Sequence, residues 1–179
     1  MAKKEALREL QSRLAERLQA ARTEARTAQW LAVESAGQGF LLPLHEAGEI
    51  FPPTACVSVP HVVGWFMGVA NLRGSLHGVV DLAAFLGMKA SAPSFVAAEG
   101  LRDHARLVVL NPNLETNSAL LVERLAGLRG KDHLQPVEGD QRARPAFVGQ
   151  RYRDQQGRVW QELSLDALAG DEAFLRIVG

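Results

Sequence analysis

Ser75, His77 and Asp81 are the residues whose types and spacing most invite a chemical reading. Alternate side chains of a strand share a face, so these three would stand in one row, as a nucleophile, a base and an orienting acid. The spacing opposes that hydrolase reading. Residues two apart on a strand lie about 7 Å apart, whereas a nucleophile and its base need about 3 Å. Val79 also separates His77 from Asp81, and no Gly-x-Ser-x-Gly elbow is present. A serine and a histidine at a solvent edge, with Asp81 capping the turn that follows, is the plainer account. The hydrolase stands as an alternative.

Other chemistries have weaker footing. His45, His61, His77, His104 and His133 form neither an HExxH motif nor a close pair, and one cysteine cannot build a thiolate zinc site. Gly64–Gly68 lacks the Lys-Ser/Thr of a phosphate loop. No metal or cofactor is expected. Arg142, Arg144, Arg151 and Arg153 cluster near Phe147 and Tyr152. They offer an RNA-binding alternative, although such a cluster is more often a solvated face. Arg73 stands out more. It follows an uncharged run from Ile50 to Leu72, and a cation in such a setting calls for a partner. Glu49 and Asp81 are the nearest acids on either side. Arg73 is then a structural ion pair, a partner contact, or both.

The totals narrow the classes of partner and compartment. Twenty basic residues balance twenty acidic ones, which argues against nucleic acid or anionic membrane as partner of the whole chain. Cys56 has no internal partner, so a reducing compartment is expected. No signal peptide is visible. The uncharged run is about as long as a bilayer span, but Pro52, Pro53, Pro60, Gly64 and Gly68 would break the helix. The expectation is a cytoplasmic protein without membrane insertion.

The elements that must position these residues are mostly strands. Leu7, Leu10, Leu14, Leu18, Ala21, Ala25 and Ala28 recur at helical spacing, so residues 1–29 read as a helical extension. It either packs on its own domain, binds a partner or self-associates. Strands are expected at Trp30–Glu34, Phe40–Leu44, Glu46–Phe51, Met67–Leu72 and Ser75–Leu82, with a short helix after Asp81. A loop near 88–105 precedes strands at Arg106–Leu110 and Ala119–Glu123. Gly130–Pro145 reads as irregular. A hairpin follows, Phe147–Arg153 and Arg158–Leu163 around Asp154–Gly157, and Ser164 caps a last helix. Many short strands with terminal helices indicate one or two small barrels.

Several of these segments together resemble the CheW-like domain. Gly39–Leu44, Glu49-Ile50 and Val59-Pro60 lead to Gly68-Val-Ala-Asn-Leu-Arg-Gly74, then Val79-Val-Asp-Leu82 and Leu86-Gly87. Ala119–Leu125, Phe147-Val-Gly149 and Leu163–Leu168 fit its later half. Gly78, His77 and Glu123 depart from the family's usual proline, aliphatic and aspartate. The resemblance covers roughly residues 30–170, and the domain is expected to occupy 30–179. It implies a mainly β fold of two SH3-like barrels over a shared core, with an N-terminal helix and a short C-terminal one. It also implies a non-catalytic scaffold coupling the regulatory domain of a CheA-type histidine kinase to the cytoplasmic tip of a methyl-accepting chemoreceptor. The long N-terminal helix and short loops resemble the branch that serves type IV pilus (twitching-motility) systems. By position Ala47, Glu49, Arg73 and Asp81 are the implied partner-binding residues.

Overall fold

The structure is a computed structural model that describes residues 9–20, 28–89, 103–138 and 143–179. A helix over residues 9–20 (α1) precedes eleven strands. These are β1 (Ala28–Ser35), β2 (Gln38–Pro43), β3 (Ala47–Phe51), β4 (Phe66–Leu72), β5 (Ser75–Asp81), β6 (Arg106–Leu110), β7 (Ser118–Val122), β8 (Arg124–Gly130), β9 (Leu134–Val137), β10 (Val148–Asp154) and β11 (Val159–Leu163). Among the described residues there are also three short α-helices, α2 (Leu82–Phe85), α3 (Leu165–Ala169) and α4 (Glu172–Leu175).

The strands form two sheets, in the orders β8-β1-β2-β11-β10-β9 and β3-β6-β7-β5-β4. Pairing is antiparallel except for β2 with β11 and β5 with β7. The expected mainly β fold is thus present, but as open sheets rather than closed barrels. Among the described residues no ladder joins β8 to β9 or β3 to β4. Proline, which cannot donate to a ladder, stands at these edges: Pro136 lies in β9, and Pro52-Pro53 ends β3. A single bridge, Val57 to Val69, carries the chain after β3 against β4.

Side-chain alternation explains the three-part core. In β1, Leu31 and Val33 face the space between the sheets, while Trp30 and Ala32 point the other way. In β6, Val108 and Leu110 face the same shared space, and Leu107 and Val109 the opposite side. Strands buried on both faces read as unbroken apolar runs, and Arg106–Leu110 is one. Leu165, Leu168 and Phe174 of α3 and α4 close the shared core.

Several boundaries differ from expectation. The helical extension overran: β1 already begins at Ala28, and the remaining positions of the stripe, Leu7, Ala21 and Ala25, lie outside the described residues. Within the supposedly irregular stretch β9 forms, just after β8, whose last residue is Gly130. Their weak pattern comes from edge placement, with β8 only partly buried. Gly127, at φ +93°, sits where the register against β1 shifts, as a bulge does. Residues 90–102 of the expected inter-lobe loop and Arg142 lie outside the described residues.

A polar cluster fixes the outer face of the six-stranded sheet around the fully buried Trp160. Glu34 accepts hydrogen bonds from Arg124 (2.6 Å) and Arg158. Arg158 also lies over the Trp160 ring at 4.6 Å, and the indole N–H donates to Asp154 at 2.9 Å. Burial pushes both carboxyls up. For Glu34 the hydrogen bonds and charges of Arg124 and Arg158 outweigh it, and for Asp154 the bonds from Trp160, Arg158 and Gln156 do, so both sit below the ordinary range. A depressed folded pKa gives stability that is complete above the unfolded value and is lost as pH falls through the folded one. Stability therefore declines on acidification below about pH 4. A Glu34→Gln/Asp154→Asn variant, less stable at neutral pH, has a flatter acid limb when melting is followed by tryptophan fluorescence. An unchanged acid limb refutes the assignment.

Candidate partner-docking surface

Arg73 sits at the tip of the β4–β5 hairpin. Leu72 pairs with Ser75, which leaves Arg73 and Gly74 as a two-residue loop, with φ of +53° and +87°. Positive φ at both positions is the type I′ pattern, whose twist matches that of the flanking strands. The Asn71 side chain accepts from the Gly74 N–H at 2.8 Å and closes the turn. The hairpin thus holds an arginine in the left-handed region and aims it outward.

The Arg73 guanidinium donates to Glu49 Oε1 at 2.9 Å, with side chains 75% and 56% exposed. It also lies 6.0 Å from the centre of the Phe51 ring. Glu49 and Phe51 belong to β3, at the opposite edge of the five-stranded sheet from β4. The contact therefore links the two edges of the curled sheet. An exposed pair of this kind adds little to stability. Ala47, two residues before Glu49, is half-buried opposite Leu110 and packs against the shared core.

Asp81 does not join them. It is 7% exposed, caps α2 by accepting from the Ala84 N–H, and pairs with Lys89 at 3.0 Å. Lys89 in turn stands 3.7 Å from Glu123, whose carboxylate accepts from the Ala36 N–H. Of the two acids nearest Arg73, only Glu49 pairs with it. Asp81 sits at the junction of the sheets because β5 runs from the exposed hairpin tip into the core. The triad geometry does not form either. His77 Nδ1 lies 3.1 Å from the Ser75 carbonyl oxygen, and Asp81 is engaged with Ala84 and Lys89. For the RNA alternative, Arg151 and Arg153 share an exposed face of β10, with Arg151 bonded to Gln161 at 3.2 Å.

One site residue escaped sequence reasoning. Glu46 lies in the link from β2 to β3, hence from one sheet to the other. Its Oε2 accepts from the backbone N–H groups of Leu165 (2.6 Å) and Asp166 (3.2 Å) at the start of α3, and lies 3.4 Å from the Ser164 hydroxyl. Its carbonyl accepts from the Asn111 N–H, and Asn111 Nδ2 donates to the His45 carbonyl. The link is thereby tied to α3 and to the β6–β7 turn. The separation of 119 residues between Glu46 and Leu165 left no local signal. Removing a carboxylate that serves partly buried donors at a helix start costs about 2 kcal/mol. Glu46→Ala should lower Tm by about 5 °C in a chain this size. Ser164→Ala, which loses its cap bond and only the longest of the Glu46 contacts, costs about 1 kcal/mol. A Glu46→Ala loss no larger than that of Ser164→Ala refutes the latch.

The fold and this surface define a class: a β domain of two sheets over one core that offers an exposed polar pair. The chain belongs to the CheW-like family, since the family profile for the CheW-like domain matches residues 29–173. It is 30% identical over 147 residues to the protein PilI of Pseudomonas aeruginosa strain PAO1, covering 79% of this chain and 75% of that one. The chemotaxis protein CheW of Rhizobium meliloti is 39% identical over a shorter stretch of 57 residues, 32% of this chain and 37% of that protein. Among solved structures, the scaffolding protein TtCheW of Thermoanaerobacter tengcongensis superposes with a TM-score of 0.60 at 16% identity. That match covers 76% of this chain and 88% of that one, and shows the shared fold.

Proposed function

We propose that this CheW-like chain is a non-catalytic scaffold adaptor, coupling a CheA-type histidine kinase to a methyl-accepting chemoreceptor in a type IV pilus chemosensory system. The observation that carries the reading is the PilI relationship, which extends over 79% of the chain. The kinase's regulatory domain binds the five-stranded sheet at the Arg73–Glu49 edge. The receptor's cytoplasmic tip docks between the two sheets, beside Ala47. The protein works in the cytoplasm at membrane receptor arrays; no described helix is long and apolar enough to cross a membrane.

Such an adaptor needs no substrate. It acts by making contacts that differ between two kinase states, so that a receptor rearrangement shifts their populations. Many weak contacts within one assembly give the response its strength. The direct test is binding of the purified chain to the regulatory domain of a CheA-type kinase and to a receptor-tip fragment from the same genome, followed by kinase autophosphorylation in the ternary mixture. The expected result is binding to both and a change in phosphorylation that needs all three components. Binding to neither rejects the reading.

A further inference from the structure

Two features of the chain are unused by the reading above, and their chemistries match. The first is α1. Each of its residues 9–20 is exposed, and Leu10, Leu14 and Leu18 are 56%, 52% and 61% exposed. Spaced four apart, they form one stripe along about 12 Å of helix. Arg13 and Arg17 flank the stripe on one side, and Glu9 and Glu16 lie farther round. Arg13 pairs with Glu9 at 2.7 Å, a solvent-exposed contact that is easily exchanged. The helix lies outside residues 29–173, the part shared with the family.

The second is an open groove of about 840 Å³ at the root of β1. Trp30, Pro43, Leu44 and Tyr152 give it an apolar lining. Glu46 and Glu162 are its carboxylates, with Lys131 as the opposing cation among the lining residues. Glu162 holds the Trp30 indole N–H at 2.7 Å, and the Trp30 and Tyr152 rings stand 5.2 Å apart, so the lining is pre-organised.

We infer that the Leu10–Leu14–Leu18 face of α1 docks into this groove of its own chain, with Arg13 and Arg17 toward its carboxylate rim. A helix of this kind reads a groove through apolar anchors at i, i+4 and i+8. A second α1 is a poorer occupant, because a copy of the same stripe brings a second row of arginines. Seven residues separate residue 20 from β1, and Trp30 is itself in the groove. Seven residues reach at most about 25 Å, enough to fold the helix back. A tether this short supplies an effective concentration on the order of millimolar, so even weak contacts suffice. The docked helix covers the surface next to Ala47. Its competition with a receptor there rests on the proposed function, but the docking itself does not.

The test uses full-length protein with Cys56→Ser and needs no partner. His45, 83% exposed at the groove, becomes cysteine. A second cysteine is placed either at Gln11, beside the stripe, or at Ser12, on the far side of the helix. Under mild oxidation the Gln11→Cys/His45→Cys pair should cross-link within one chain at least tenfold faster than Ser12→Cys/His45→Cys. Adding Leu14→Ser should bring the faster rate down to the slower one. Equal rates for the two pairs would mean tether proximity without docking. A disulfide-linked dimer would assign the groove's occupant to a second copy. Either result overturns the inference, and neither bears on whether the chain binds a kinase.

Discussion

Gly68→Ala should be among the most destabilising single substitutions in this chain, lowering Tm by about 10 °C. Gly68 sits in β4 at φ +126°, a conformation that side chains strain. A Cβ there would stand 2.2 Å from the Val57 carbonyl oxygen and 2.9 Å from its carbon. Those are backbone atoms, and they are pinned: the Val57 N–H donates to the Val69 carbonyl at 2.8 Å, and the Val69 N–H donates back at 2.9 Å. The alanine must break that bridge or displace β4. Backbone strain of about 1–3 kcal/mol and two lost hydrogen bonds near 1 kcal/mol each give a cost of about 4 kcal/mol. Gly157→Ala is the matched control. Its φ of +84° is also positive, but a Cβ meets nothing within 4 Å, so strain alone applies. Thermal melts in which Gly68→Ala costs no more than Gly157→Ala would defeat the argument.

That glycine also shows what the sequence makes legible. Gly68 to Gly74 stood out through its resemblance to the CheW-like pattern, and four of its residues have local tasks. Gly68 allows the Val57 bridge, Asn71 closes the turn, and Arg73-Gly74 forms the loop. Apolar runs such as Arg106–Leu110 could likewise be read as buried strands, because both their faces are covered. The Arg73–Glu49 pair was one of two options named from charge alone, and the structure selects it.

What escaped was non-local or weakly patterned. Asp81 looks like a plausible partner for Arg73 only while β5 is treated as uniformly exposed. Its burial rises from Ser75 to Asp81, which puts the aspartate in a different neighbourhood from the hairpin tip. Glu46 is an ordinary glutamate in a turn until α3 arrives above it. The edge strands β8 and β9 carry glycines and a proline, residues that read as loop, because at an edge a missing donor or a bulge is tolerated. The barrel-like sheets stay open for a related reason. Strand count and spacing are properties of sequence, whereas closure depends on whether two edges far apart in the chain find a register.

Arg73 carries the second large prediction, because fold and function should separate there. Its left-handed backbone costs an arginine about 1 kcal/mol, and its exposed bond to Glu49 returns less than that. Arg73→Gly should therefore raise Tm slightly, while Arg73→Ala should leave it within about 2 °C. Binding should respond differently. Arginine at the centre of an interface is a frequent hot spot, and losing one costs about 2 kcal/mol, or about 30-fold in Kd. Both substitutions should weaken binding to the kinase regulatory domain by that order, since neither replaces the guanidinium. Glu49→Ala should weaken it less if Glu49 mainly orients Arg73. The double variant should then be no worse than Arg73→Ala, the non-additivity that contacting residues show. If Arg73→Gly instead melts earlier than the parent, the arginine is holding the sheet edges together. If it melts later and still binds the kinase with parental affinity, the docking surface lies elsewhere on the domain.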